Sequence, residues 1–280
     1  IFYFYKKNSN KKFLKPVEKL LNNISSRGIY DQLEGGIARY TVDDKWIVPH
    51  FEKMLYDNIL YVNLLNHFLQ KEKSDYLKNK LKQTINFINT EFISENNLLG
   101  SAYDADSEGV EGKYYIWKYD DIKNKLKDKF EIFSKKYLIT KEGNFEGSNI
   151  LIENRDNKLT DEELSKAKEA ENLLLIERKK RIKPFFDNKV QTDLNCYWLY
   201  SNLYSSLILD DQELYKKTIS SINHINENLK DNVFHCYNKK KQEIDVFLED
   251  YAYYCLLLIT LYEINNDKIS LEKCEKKMEE

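Results

Sequence analysis

Trp46–Leu65, WIVPHFEKMLYDNILYVNLL, decides how the rest of the chain is read. Polar side chains crowd its start (His50, Glu52, Lys53, Tyr56, Asp57, Asn58), and almost everything after them is apolar. Pro49 suits a first helical turn, where its missing N–H costs nothing. The spacing predicts a helix over 50–70, with His50, Lys53, Met54, Asp57 and Tyr61 on one face and Glu52, Tyr56 and Ile59 on the neighbouring stripe. Such a helix either opens at one end onto a polar cavity or buries polar groups that satisfy one another.

Outward from that stretch the chain is mostly helical in pattern. Before it, Phe13–Ser26 is amphipathic, Gly28 ends that segment, and Gly35-Gly36 permit a tight turn that brings Asp31, Arg39 and Tyr40 toward the start of the next helix. After it, a helix runs from Ser74, a candidate N-cap, to Phe92. Leu98–Trp117 breaks the rhythm: Leu99–Tyr103 and Lys113–Trp117 have the character of two short strands, joined by an acidic loop holding Asp104, Asp106, Glu108 and Glu111. Short helices follow at 119–129 and 131–137, and 143–152 reads as a loop running into a strand. A charged helix capped by Thr160 reads as a solvated outer helix. Phe185–Val190 is a polar turn, and Leu194–Leu209, Gln212–Leu229 and Phe247–Ile264 are three more apolar helices. The terminal SLEKCEKKMEE is expected to fray.

Composition excludes several classes of function. The 280 residues carry a formal net charge of −2, so no basic surplus points to nucleic acid and no global field to a membrane surface. No apolar run reaches the ~20 residues of a membrane span, and IFYFYKKNSNKK lacks the order of a signal peptide. Only 8 Gly and 3 Pro are present, which favours long helices over tight hairpins. Cys196, Cys236, Cys255 and Cys274 never form a C-x-x-C pair, so they are expected as buried free thiols in a reducing, cytoplasmic compartment. The chain begins in mid-pattern without methionine and is expected to be a fragment of a longer architecture.

One recurrence bears on the fold. Asp57-Asn58, Asn195 and Asp250-Tyr251 each stand just before an apolar helical body with aromatic neighbours. That pattern predicts an array of helical hairpins whose inner helices present polar ends at one mouth.

The ordered set GIYDQLEGGIARYTVDDKWIVPHFEKMLYDN, SAYDADSEGVEGKYYIW, GNFEGSNIL, the R-x-x-R-x-x-P-x-x-D-x-K run over Arg178–Lys189, and FLEDYAYYCLLLITLYE resembles the helical part of the thioredoxin-domain-containing family that includes spermatogenesis-associated protein 20. The resemblance covers nearly the whole chain. It implies a single all-α domain over 1–280, an (α/α) toroid of helical hairpins, whole or partial, similar to six-hairpin glycosidases and N-acylglucosamine epimerases, with a short β-hairpin at the cavity mouth. It also implies a thioredoxin-like partner domain, which is expected to lie outside the residues of this sequence. Two positions depart from the family's pattern: Ala38 stands where G-G-G-F-H-R-Y has its histidine, and Leu194 and Cys196 stand where S-W-N-G-L has tryptophan and glycine.

Two chemistries suit such a cavity. Hydrolysis of a glycoside needs two carboxyls ~5–9 Å apart, one with its pKa raised. Asp104, Asp106 or Glu108 are candidates for the acid, and Asp57 or Asp250 for the opposing group. Epimerase-like proton transfer suits a histidine, for which His50 and His235 are available. The expected catalytic residues are Asp57, Asp104, Asp106, His50 and Asp250. Ligand contacts are expected from Asp31, Arg39, Tyr40, Trp46, Lys53, Tyr56, Asn58, Glu108, Asn195 and Tyr251. The acidic loop matches positions one, three, five and six of an EF-hand, but Tyr115 stands at position twelve, so a hairpin tip bonded to Arg39 or Lys53 is expected rather than a metal site. No cofactor is expected. A sugar-like small molecule is the expected ligand, and a non-catalytic scaffold for a thioredoxin-like domain is the alternative.

Overall fold

The computed structural model describes residues 7, 10–94, 98–229, 232–237 and 245–279. Its helices are α1 (Lys11–Ser26), α2 (Leu55–Leu69), α3 (Asp75–Glu91), α4 (Tyr119–Leu126), α5 (Phe130–Lys136), α6 (Asp161–Arg178), α7 (Thr192–Leu209), α8 (Gln212–Asn228), α9 (Leu248–Asn265) and α10 (Lys268–Glu279), joined by loops with two-residue strand pairs. The chain divides into two compact units, Ile1–Lys53 with Tyr103–Phe185, and Met54–Ala102 with Phe186–Glu280.

In the first unit, α4, α5 and α6 close over a core of Leu33, Trp117, Ile122, Leu126, Phe133, Tyr137, Leu151, Ala170 and Leu174. Thr160 and Glu163 form a reciprocal capping box at the start of α6. The expectation of a solvated outer helix is corrected here. Ala167, Ala170, Glu171, Leu174 and Arg178 recur at helical spacing and are buried, the two alanines letting the helix approach its neighbours closely. Glu171 is buried because Lys136, Lys168 and the Tyr137 hydroxyl all reach it.

The opening stretch is also corrected. Helix α2 begins at Leu55, and Pro49-His50 instead pair antiparallel with Thr41-Tyr40, in the register Tyr40↔His50 and Thr41↔Pro49. The Asp43 carboxylate accepts from the amides of Lys45, Ile47 and Val48 at 2.6–3.2 Å, curling the chain so that it enters an extended segment. His50 and Lys53 therefore do not share a helical face with Asp57.

The acidic hairpin is shorter than expected. Its strands are Asp106-Ser107 and Val110-Glu111, closed by Glu108 and Gly109, both with positive φ (54° and 72°), which is the two-residue turn whose twist matches paired strands. Residues 113–117 form turns because Arg181 donates to the carbonyls of Tyr114 and Ile116 at 2.9 and 2.8 Å while its guanidinium lies 3.9 Å from the Trp117 ring centroid. Segment 143–152 makes isolated bridges, among them Trp117↔Asn149, in place of a strand.

The second unit is built from three helical hairpins, α2–α3, α7–α8 and α9–α10. Asp210 and Asn266, in the left-handed conformation, end α7 and α9, and Asp211 and Ser74 cap α8 and α3 through their side chains. The first helix of each pair is apolar nearly all round and the second is amphipathic, so the first set is the inner layer. Helix α7 packs between α2 and α9. Asn66 of α2 donates to the Ser201 carbonyl and accepts from Ser205 of α7, at matching depths along the two helices. Tyr197 of α7 and Tyr253 of α9, also at matching depths, have ring centroids 4.4 Å apart. These contacts make α2, α7 and α9 parallel, so their polar first turns stand at one end, as the recurrence predicted. All four cysteines are free and buried. The terminal segment does not fray: α10 continues through Glu279 because Ser270, Cys274 and Lys277 form a buried stripe.

Candidate functional site

Two clusters of charged side chains stand out, one in each unit. In the first unit, Lys53 donates to Asp31 (2.8 Å) and to the Gly35 carbonyl (3.1 Å), and Arg178 donates to Asp31 (2.8 Å) and Glu34 (3.0 Å). Lys179 reaches the other Glu34 oxygen at 2.9 Å. The Arg178 and Lys53 side chains are 2% and 3% exposed, so this is a buried cluster of paired charges. Burial alone would raise the Asp31 carboxyl, but Arg178 and Lys53 outweigh it and hold it well below the usual carboxylate range. Burial lowers Lys53, with Asp31 opposing it, and raises the Tyr115 phenol well above its ordinary value. The cavity beside these groups, lined by Ala38, Tyr115 and Arg178 among others, holds about 30 Å³, room for a water molecule.

The other expected residues of that unit lie outside this cluster. His50 is hydrogen-bonded to Glu111 (2.7 Å) and stacks on Tyr40 with centroids 5.0 Å apart. Arg39 pairs with Glu52 at 2.9 Å, and Glu108 pairs with Lys113 at 2.8 Å. Asp104, Asp106 and Glu108 are exposed, and Asp104 accepts from the next amide, that of Ala105. Trp46 is half-buried with φ +61°. The acidic tip thus finds partners in His50 and Lys113, while Lys53 and Arg39 engage Asp31 and Glu52.

In the second unit the structure brings together Asp193, His235 and Asp250. One oxygen of each carboxylate and a ring nitrogen of the imidazole lie within 4.8 Å of one another. Asp250, at 0% exposure, caps two backbone amides: Oδ1 accepts from Asp193 N–H (3.1 Å) and Oδ2 from Phe247 N–H (2.9 Å). His235 Nδ1 faces both Asp250 oxygens at 3.2 and 3.1 Å, and its ring meets Phe247 edge-on. Asp193 Oδ1 is buried with no hydrogen-bond partner. Burial raises the Asp193 carboxyl, and the neighbouring Asp250 charge adds to this.

A stripe of aromatic rings continues from Asp193. Tyr197, Tyr200 and Tyr204 follow it at intervals of four, three and four, on one face of α7. Tyr197 and Tyr200 are stacked with centroids 6.0 Å apart, and Tyr200 and Tyr204 meet edge-on at 5.1 Å. All three are half-buried, presenting part of each ring.

The remaining expected residues of this unit stand outside the trio. Asn195 is buried and bonds both to the Leu99 backbone (2.8 and 3.0 Å) and to the Gln191 carbonyl. Asn58 donates to the Met54 carbonyl, and Tyr56, Asp57 and Tyr251 are half-buried. A separate cleft of about 720 Å³ runs between α3 and α8 over α7, lined by Asn86, Asn89 and Asn202 among others.

The sequence alone does not single out Asp193, and it offers His235 only as a second histidine beside His50. The Asp193-Tyr197-Tyr200-Tyr204 spacing was legible. The convergence of three residues as much as 57 positions apart was not. The charge richness of the helix that carries Arg178 conceals the burial of that residue.

No protein-family model matches the chain. It is 27% identical over 88% of its length to an uncharacterised protein of Caenorhabditis elegans, and 24% identical over 90% of its length to spermatogenesis-associated protein 20 of human and of mouse. It spans 40% of the nematode protein and 38% of the mammalian ones. Along nearly its whole length, the chain is a homologue of a part of spermatogenesis-associated protein 20.

Proposed function

We propose that this chain is a carbohydrate-binding and carbohydrate-active module, and that its hairpin array is part of an (α/α) toroid resembling six-hairpin glycosidases and N-acylglucosamine epimerases. The observation that carries the reading is the α7 stripe: three partly presented tyrosine rings in line, ending at a carboxyl and an imidazole. Sugars offer C–H faces that stack on aromatic rings and hydroxyls that need charged or polar partners, and such a stripe supplies both. Epimerase-like chemistry next to a carbonyl fits better than two-carboxylate hydrolysis. Asp250 is fully buried, and its oxygens already accept from two amides and face His235, so it is badly placed as a nucleophile.

The test is a panel of monosaccharides and N-acylated sugars, read by thermal stabilisation and then by isomer analysis. A ligand that binds only the folded form raises its stability. Stabilisation by a sugar that is weakened in Tyr200→Ala supports the reading, and a panel that leaves the melting temperature unmoved refutes it.

The first unit favours a second reading for itself, as a scaffold that positions a thioredoxin-like partner domain. Asp31 and Lys53, expected as ligand contacts, are consumed by Arg178 and by each other. Binding of a thioredoxin-like protein that survives Tyr200→Ala supports that role. Among the described residues no helix is long and apolar enough to cross a membrane. The four buried free thiols fit a reducing compartment, and we place the protein in the cytoplasm.

A further inference from the structure

Helices α9 and α10 form the last hairpin of the second unit, and each carries one cysteine on the face it buries against the other. Cys255 and Cys274 meet reciprocally. The Cys255 thiol donates to the Cys274 carbonyl, with sulfur and oxygen 4.0 Å apart, and the Cys274 thiol donates to the Cys255 carbonyl at 3.7 Å. Each side chain thus spans the gap between the helices to the other's backbone, so the two side chains converge. A disulfide needs that arrangement, with Cα atoms within about 7 Å and Cβ vectors that do not point apart. Left-handed Asn266, which ends α9, holds the hairpin in this register.

The closed hairpin protects the reduced pair. Cys255 is 7% exposed and Cys274 2%. Burial pushes the Cys255 thiol up to about 12, the Cys274 thiol beside it adds to this, and Lys277 opposes it. Only the thiolate is a nucleophile, so the docked pair is inert at neutral pH. Helix α10, however, makes its helix contacts chiefly with α9, and a helix held on one side can lift without global unfolding. Lifting exposes Cys274 to solvent, and redocking returns it to Cys255.

We propose that Cys255 and Cys274 are an oxidation site, closed by a peroxide or a small-molecule disulfide into a covalent staple between α9 and α10. With hydrogen peroxide, the Cys274 thiolate attacks one oxygen, the O–O bond breaks and hydroxide leaves, which gives a sulfenic acid. The Cys255 thiolate then attacks that sulfur, the S–O bond breaks and a second hydroxide leaves as the S–S bond forms. The two thiol protons and the two hydroxides make two waters. The sulfurs give up two electrons in all, and the peroxide takes them. The staple fixes α10 on the helix that carries Asp250 and Tyr253. In a reducing compartment the pair stays open, and closure reports an oxidising episode.

The test uses the whole chain, reduced, desalted and treated with hydrogen peroxide and separately with oxidised glutathione, then digested without reductant for peptide mapping by mass spectrometry. The expected product is one chain lighter by two hydrogens, with Cys255 linked to Cys274 and the other two thiols free. A loop of about twenty residues closed in this way should raise the melting temperature by roughly 5–10 °C, and dithiothreitol should reverse the rise. The rate of closure should level off at high oxidant, where the lifting of α10 becomes limiting. Cys274→Ser should abolish the link and the rise, while Cys196→Ser keeps both. If Cys274→Ser fails to fold, the wild-type peptide map still decides. A folded wild type that keeps four free thiols, links Cys196 or Cys236 instead, or is oxidised at Cys274 to the sulfinic acid without linking, overturns the proposal.

Discussion

The two buried charge clusters differ in one respect that separates structure from function. Around Asp31, two carboxylates meet two cations, Arg178 and Lys53, with Lys179 at the rim. Around Asp250, two carboxylates meet a single imidazole, and one carboxylate oxygen has no partner. The first cluster is balanced, so its chemistry is spent on holding α6 and the glycine turn in place. Among the described residues the second is short of positive charge. Clusters of that kind are where a proton, an ion or a ligand has something left to do.

The largest effect expected from breaking this contrast is in the balanced cluster. Arg178→Met leaves Asp31 and Glu34 buried without their main partner, and we expect a loss of about 3–5 kcal/mol in denaturant unfolding. A loss under about 1 kcal/mol would mean that water already reaches the cluster.

Acid should act on the same unit. The Asp31 carboxyl is held below its ordinary range against burial by Arg178 and Lys53, and that of Glu171 is lowered against burial by Lys136 and Lys168. A depressed folded-state pKa gives stability that is present above the unfolded value and lost as pH falls through the folded one. Denaturant midpoints should therefore hold steady at neutral pH and fall as the pH drops below about 4. In Arg178→Met the Asp31 share of that slope should shrink, and an unchanged slope would remove Asp31 from the account.

The second cluster should respond in the opposite sense to neutralisation. Asp193→Asn removes a charge that is close to another carboxylate and keeps the side chain's shape. Stability should change by less than about 1 kcal/mol, or rise. A loss comparable to that of Arg178→Met would make Asp193 a structural residue.

The smallest effect belongs to the surface. Glu111→Gln breaks an exposed pair with His50, and a change of about 0.2–1 kcal/mol is expected.

Legibility in the sequence followed the range of the interactions. The hairpin array and the parallel polar ends of α2, α7 and α9 were readable because periodicity is local and the Asp57-Asn58, Asn195 and Asp250-Tyr251 recurrence repeats it. The start of α2 was misplaced because Asp43, seven residues before His50, commits the chain to an extended pair that no helical spacing reveals. Asp250 was legible as a polar residue ahead of an apolar helix. Its partners Asp193 and His235 were not, since they approach it only once α7 and α9 pack in parallel. The burial of Arg178 was hidden in the same way: its two acids come from a turn more than 140 residues earlier in the chain.

The central claim, that ligand binding belongs to the α7 stripe and its acid–imidazole end, is tested most directly by one binding isotherm measured on three proteins. The best stabilising sugar from the panel is titrated into wild type, Tyr200→Ala and Glu111→Gln. The account predicts that Tyr200→Ala weakens binding about threefold to tenfold while Glu111→Gln leaves it unchanged. Equal affinity in wild type and Tyr200→Ala, with loss in Glu111→Gln, would contradict it and move the site to the acidic hairpin.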